Sequence, residues 1–319
     1  MTVSKTGFYT HEDCRKHEMG PGHPECPERL DAIQDRLLVS GVSDALEHLE
    51  APLASLNDIE LAHDRLHVAA LRGLTLRLVE EQAAGGPEHT SLDSDTSINA
   101  HTWIAALRAA GAAMAATDAV LAGELENAFC MVRPPGHHAT RSKAMGFCFF
   151  NNVAVAAKYA LQRHNLQRVA VIDFDVHHGN GTEDILAGDE RALMCSFFQH
   201  PFYPYSGDQN PAPNMCNVPV PAYSKGMDIR EVVEMMWIPR LEEFQPEMMF
   251  ISAGFDAHRE DDMGQLGLTE QDFSWITQRL KDVARRYCNG RIVSCLEGGY
   301  IPSALARSVE AHLRVLADV

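Results

Sequence analysis

Short, nearly unbroken apolar runs alternate along the chain with longer stretches in which apolar residues recur every three or four positions. The runs are TGFYT (6–10), NAFCMV (127–132), RVAVIDF (168–174), ALMCSFF (192–198), EMMFISA (247–253) and RIVSCLE (291–297). Segments that are apolar on both faces predict strands of a parallel sheet covered on both sides. Helical periodicity fills the gaps, at 67–84, 100–123, 151–164, 227–244, 268–287 and 301–319. Asn151 suits the N-cap of the third helix. Pro239 predicts a kink or break in the fourth. Thr269, with Asp272 three residues on, is close to a capping box at the start of the fifth. This alternation predicts an α/β protein, a single doubly wound unit over residues 1–319.

In such sheets, ligands sit beyond the carboxyl ends of the strands. The chemically loaded residues fall there. One run ends in Asp173, Asp175 and His177, another in Asp256, and a third in Glu297-Gly298-Gly299-Tyr300; His137 and His138 follow a fourth. Charges at the end of a buried strand are paired, neutralised or bound to metal. Residues two apart share a face of an extended chain, so Asp173, Asp175 and His177 can point into one pocket. Asp175 and His177 offer donors for a divalent ion, and Asp256 is the best third ligand from another strand. Two carboxylates and an imidazole suit zinc or ferrous iron with one open position. Asp173 is then free to fix the tautomer of a histidine, and Asn180 can accept from the other. Of His137 and His138, one can take a proton from water and the other can stabilise developing charge. Tyr300, after two glycines, can donate to an oxyanion. His178 falls to a supporting position beside a ligand.

Composition narrows the picture. The net charge is −17, from 44 acidic and 27 basic residues, which argues against a nucleic-acid partner or an anionic membrane surface. Eight cysteines form no C-x-x-C pair, as expected of reduced thiols in a reducing compartment. The N-terminus has no apolar signal core, and no apolar run is expected to be long enough to span a bilayer. A cytoplasmic location is the expectation. Cys14, His17, His23 and Cys26 are zinc-ligand types in one segment, but their spacing fits no common finger. A plain loop over the pocket mouth is expected there.

The segments RPPGHHA…GFCFFNN, DFDVHHGNGTE, SAGFDAH and LEGGY occur in the order found in zinc-dependent histone deacetylases. The chain resembles that family and its bacterial relatives, which include histone deacetylase-like amidohydrolases, acetylpolyamine amidohydrolases and acetoin-utilisation proteins. HPECPERL near the N-terminus and LAHDRLHV at 61–68 resemble further family segments. The resemblance implies the arginase–deacetylase fold, an α/β domain around an eight-stranded, mostly parallel sheet. It implies one zinc per chain on Asp175, His177 and Asp256, with Fe2+ as the cellular alternative. His138 becomes general base and then acid, His137 its electrostatic partner oriented by Asp173, and Tyr300 the group that polarises the carbonyl. Gly146 would offer its carbonyl to the substrate amide. Phe147, Tyr203 and Met263 would wall a tunnel for an acyl-lysine stem, Arg29 would line an acetate channel, and Asp95 would stand at the rim. The main chain of Asp173, Asp175 and His177, with Ser196 and Phe197, matches a structural K+ site.

Asn180, where one branch of the family has Asp, and LEGGY in place of a four-glycine run both resemble the class II branch. The activity implied is removal of acetyl or other acyl groups from an acylated lysine or a similar acetylated amine. The alternative is deacetylation of acetylated polyamines, which a narrow acidic mouth would favour, with a homo-oligomer as one way to form it. A two-manganese ureohydrolase would need further bridging carboxylates, but Val176 separates Asp175 from His177. A non-catalytic binding module would be expected to have lost Tyr300 or a ligand.

Overall fold

The structure, a computed structural model, describes residues 5–319. Its strands are β1 (Thr6–Thr10), β2 (Leu46–Glu50), β3 (His89–Ser91), β4 (Ser97–Asn99), β5 (Asn127–Cys130), β6 (Val169–Asp173), β7 (Ala192–Gln199), β8 (Met215–Val220), β9 (Met248–Ala253) and β10 (Ile292–Leu296). The helices are α1 (Asp13–Lys16), α2 (Glu28–Ser40), α3 (Leu56–Ile59), α4 (Arg65–Ala83), α5 (Thr102–Leu121), α6 (Asn152–Arg163), α7 (Asn180–Leu186), α8 (Gly226–Val232), α9 (Ile238–Phe244), α10 (Glu270–Tyr287) and α11 (Pro302–Leu316).

Eight strands form one sheet in the order β2-β1-β5-β10-β9-β6-β7-β8. Every pair in it is parallel. β3 and β4 form a separate antiparallel hairpin. The six runs read from the sequence are the six inner strands. The two edges escape that reading for a physical reason. β2 is LEHLE, in which Leu46 is buried and the other four residues are partly or fully exposed, and β8 carries Asn217 and Pro219 in MCNVPV. An edge strand has one covered side and needs no continuous apolar run.

The helices flank the sheet. α5 and α6 pack on each other and on the central strands, while α2, α10 and α11 pack together. α2 is an addition to the sequence reading: Leu30, Ile33 and Leu37 form its buried stripe, and Gly41, with φ +75°, ends it. Pro239 does not break the fourth predicted helix. α8 runs through a π-helical stretch, Val233–Trp237, into α9, which carries Pro239 in its first turn. The wider turn meets the proline where its missing N–H leaves a carbonyl one turn back unbonded. The capping box of α10 forms, with the Thr269 N–H and the Thr269 hydroxyl both donating to Asp272 Oδ2. Contrary to the sequence expectation, one helix, α5, is long and apolar enough to cross a membrane, but its apolar window is mostly buried inside the protein.

One half-buried amide organises the turn before β7. Asn214 Nδ2 donates to the carbonyls of Leu186, Asp189 and Ala192 at 2.9, 3.2 and 2.8 Å, and its Oδ1 accepts from Gly188 N–H. Asn214→Ala leaves those carbonyls without their donor. We expect a loss of about 2–3 kcal/mol, read as a lower denaturant midpoint with an unchanged slope.

Candidate metal centre and its cavity

Four adjacent strands, β5, β10, β9 and β6, deliver the chemistry at their carboxyl ends. Asp175, His177 and Asp256 are buried, and their ligating atoms lie within 4.8 Å of one another. His177 Nδ1 is 3.0 Å from Asp175 Oδ1 and 3.1 Å from Asp256 Oδ2. Main-chain donors aim the carboxylates: Gly298 N–H donates to Asp175 Oδ2, His177 N–H to Asp175 Oδ1, and Val176 N–H to Asp256 Oδ1. The backbone must come this close. A Cβ on Gly298 would lie 2.1 Å from Asp256 Oδ2, and one on Gly254 would lie 2.0 Å from Asp175 Oδ2.

The electrostatics ask for a cation. Burial would lower the pKa of His177, but its bonds to Asp175 and Asp256 raise it to about 10. Burial, then the charge on Asp175, pushes Asp256 up to about 7. Two buried carboxylates and one imidazole, pre-aimed by the main chain, are a donor set that a divalent ion satisfies. Among the described residues, this is the group of side chains able to hold a metal.

The histidine pair stands beside it, with ring centroids 4.0 Å apart. His137 Nδ1 is 3.0 Å from Asp173 Oδ2, and His138 Nδ1 is 2.8 Å from Asn180 Oδ1. The two environments push the rings apart in proton affinity. For His137, burial is outweighed by Asp175 and Asp173, and the pKa is raised well above the usual imidazole value. For His138, burial and then the charges of His137 and His177 hold it well below. Asn180 Oδ1 can only accept, so His138 carries its proton on Nδ1 and presents a lone pair on Nε2.

A cavity of about 300 Å³ leads to these groups. Gly146, Phe147, Tyr203, Met263 and Asp95 line it, as do His138, His177 and Tyr300. Tyr203 stands edge-on to His138 with centroids 5.1 Å apart, and Phe147 edge-on to Tyr300 at 5.8 Å. Burial and then the Asp256 charge hold the Tyr300 phenol well above its usual pKa, so it keeps its proton. Gly146 sits tightly against His138, where a Cβ would be 2.5 Å from the ring, and its carbonyl accepts from Cys148 Sγ.

Arg29 is buried below the cavity, its guanidinium 5.0 Å from the Tyr300 ring centroid. It donates to the carbonyls of Gly299 and Glu297 and to Glu25 Oε1. Asp173 and Ser196, two of the five residues expected around a K+ ion, are register partners on β6 and β7. Of the N-terminal histidines, His17 pairs with Thr102 Oγ1, while His23 touches the Asp95 carbonyl and the Phe147 ring. Cys14, His17, His23 and Cys26 are not among the described side chains that gather as a possible metal site; the segment is not all loop, since Cys14 lies on α1, and His23 packs on two cavity residues, Asp95 and Phe147.

Several supporting contacts were not read from the sequence, although Asn151 is expected there as the cap of its helix. Arg133 forks onto both oxygens of Glu25; burial would raise Glu25, but Arg133 and Arg29 hold it at about 2. Glu297 Oε2 accepts from the main-chain N–H groups of Gly136 and His137, fixing the loop that carries the histidine pair. Asn151 caps α6 through Ala154 N–H and donates to the His137 carbonyl. Asp261 Oδ2 accepts from Tyr300 N–H at 2.6 Å. Phe202, Tyr205 and Asp262 complete the cavity wall. Glu297 and Asn151 lie inside the motifs LEGGY and GFCFFNN, which was the available signal. Glu25 and Arg133 likewise lie inside HPECPERL and RPPGHHA, whereas Asp261 lies outside every motif and its partner Tyr300 is 39 residues away.

Fold and site together define a doubly wound α/β protein with a buried carboxylate–imidazole cluster able to hold a metal ion. Residues 23–316 match the histone deacetylase domain family. The chain is 38% identical over 307 residues to a probable deacetylase of Archaeoglobus fulgidus, covering 92% of this chain and 81% of that one. It is 36% identical over 321 residues to the histone deacetylase-like amidohydrolase of Pseudomonas aeruginosa, covering 93% and 82%. The solved HD domain of HDA15 superposes with a TM-score of 0.90 at 32% identity, over 99% of this chain and 90% of that one. The chain belongs to the histone deacetylase family.

Proposed function

We propose that the protein is a zinc-dependent amidohydrolase that removes acetyl or other acyl groups from acylated lysine side chains or a similar amine. The observation that carries this is the convergence, at the end of one narrow cavity, of the Asp175–His177–Asp256 donor set with the base-competent Nε2 of His138 and the protonated phenol of Tyr300. A divalent ion held by those three residues would supply Lewis-acid polarisation of the acyl carbonyl and of the attacking water. His138 Nε2 takes the water proton as the oxygen adds to the carbonyl carbon. It returns that proton to the amine nitrogen as the C–N bond breaks, releasing amine and carboxylate. His137, held positive by Asp173, stabilises the negative charge that develops beside it. Tyr300 donates its hydroxyl proton in a hydrogen bond to the carbonyl oxygen. Phe147, Phe202 and Tyr203 hold the apolar stem and exclude water.

The test is a panel of acetyl-lysine peptides, longer acyl-lysines and acetylated polyamines, offered to the zinc-loaded protein at matched concentration. Turnover of an acyl-lysine that is lost with a chelator and restored by zinc supports the reading; no hydrolysis anywhere on the panel refutes it. Acetylated polyamines are the second reading, favoured by two carboxylates, Asp95 and Asp262, at the cavity. Tyr300→Phe removes one oxyanion donor, and we expect kcat to fall by roughly 10²–10³ with zinc content unchanged. Steady-state kinetics with elemental analysis checks both.

A further inference from the structure

Two histidines follow one another in DFDVHHGNGTE, and the second has no part in the chemistry above. His178 is fully buried. Its Nε2 lies 2.5 Å from Glu183 Oε2 on α7, and its ring packs on Phe198 with centroids 4.5 Å apart. A third neighbour is the main chain of Gly207: a Cβ there would lie 2.5–2.7 Å from Cγ, Cδ2 and Nε2 of the imidazole. Gly207 adopts φ +95°, a conformation that side chains disfavour. Its carbonyl accepts from Asn217 Nδ2 at 3.1 Å. Only glycine can bring the chain this close to the ring.

Gly207 closes the loop at 200–208, which forms one wall of the cavity. Phe202 of that loop stacks on the imidazole of His177, with centroids 5.4 Å apart and planes at 19°. Tyr203 stands edge-on to His138. Two consecutive histidines therefore grip one loop at two points. His177 meets it through Phe202, inside the cavity. His178 meets it through Gly207, outside.

We propose that His178, braced by Glu183, is a positioning residue that sets the width of the cavity and thereby its choice of acyl group. The brace reaches the wall through the imidazole: Glu183 bonds His178 Nε2, and Gly207 seats the loop on that ring. A few tenths of an ångström at that seat move Phe202 and Tyr203 against whatever the cavity holds, and selectivity among acyl groups responds to shifts of that size. The inference rests on reading the cavity as the tunnel for an acylated amine.

Glu183→Ala removes the brace, Glu183→Gln keeps an oxygen that accepts from Nε2–H, and Gly207→Ala forces the loop off the ring. The readout is kcat/KM for a bulky and an acetyl amide of the same amine, on zinc-loaded protein with metal content measured. We expect the bulky-to-acetyl ratio to rise about tenfold in Glu183→Ala and Gly207→Ala, acetyl kcat to stay within about threefold, and Glu183→Gln to keep the wild-type ratio. Wild-type ratios in Glu183→Ala and Gly207→Ala, or a shift in Glu183→Gln as large as in Glu183→Ala, overturn the proposal. Should Gly207→Ala fail to fold, the Glu183 pair decides. A second readout is thermal stabilisation by two hydroxamates, metal chelators carried on a narrow and a wide apolar stem. The same variants should shift preference toward the wide stem. That measurement needs no turnover, so a wild-type protein inert toward every amide would refute the assigned reaction while the positioning role is still decided.

Discussion

Replacing His138 by alanine is expected to lower kcat on the order of 10³-fold while one divalent ion per chain remains bound. The reasoning starts from a single hydrogen bond. Asn180 Oδ1 takes the proton on His138 Nδ1, so Nε2 is an acceptor, and burial with two neighbouring imidazoles keeps it one. General acid–base catalysis by a placed side chain contributes roughly 10²–10⁴-fold; in the proposed reaction His138 is used in both directions, which places it in the upper part of that range. The metal should not notice the change, because none of the three donors is held by His138. KM should move little, since the apolar walls persist. If His138→Ala stayed within tenfold of wild type, His137 would have to carry the proton. Its bond to Asp173 and its raised pKa make it poor at that task at neutral pH. Steady-state kinetics with metal analysis on the same sample separates these outcomes.

The second large effect comes from a methyl group. Gly298→Ala is expected to weaken divalent-ion binding by 100-fold or more and to abolish activity at ordinary metal concentrations, with the fold retained. Gly298 is not among the glycines of positive φ, so alanine suits its backbone, and the cost is one of space. The new Cβ would press on Asp256 Oδ2 at 2.1 Å and Asp175 Oδ2 at 2.6 Å. Gly298 also donates the N–H that aims Asp175. Groups that orient ligands typically carry roughly 10–100-fold in affinity, and here orientation and spacing are lost together. Isothermal titration with zinc, beside circular dichroism, makes the comparison. Wild-type affinity would show that the carboxylates can part without losing the ion.

How much of this could be read in the sequence depends on whether a residue acts through its own strand or across space. Asp173, Asp175 and His177 alternate at the end of one apolar run, which exposes the cluster in the sequence, although β6 itself ends at Asp173 and residues 175–177 bend away from it. Asp256 and Tyr300 end apolar runs and are visible by position. Glu297, Arg133 and Glu25 work by contacts that span more than 100 residues of chain, and no local pattern encodes such partners. The same division holds for the fold. Interior strands are apolar on both faces and stand out. β2 and β8 are half covered and read as loop. α2 hides its buried stripe among charges in ERLDAIQDRLLVS.

The order of the sheet bears on how the chain is made. β10 lies between β5 and β9, yet it is the last of these eight strands to be synthesised. Until Ile292–Leu296 emerges, the nascent polypeptide can hold only two sheet fragments, β2-β1-β5 and β9-β6-β7-β8, each ending in an open edge that invites wrong pairing. The final strand is a keystone: it joins the fragments and brings Glu297, Gly298 and Tyr300 to the centre in one step. A translation product interrupted before it would have neither a continuous sheet nor a working site, and would be a natural client for chaperones.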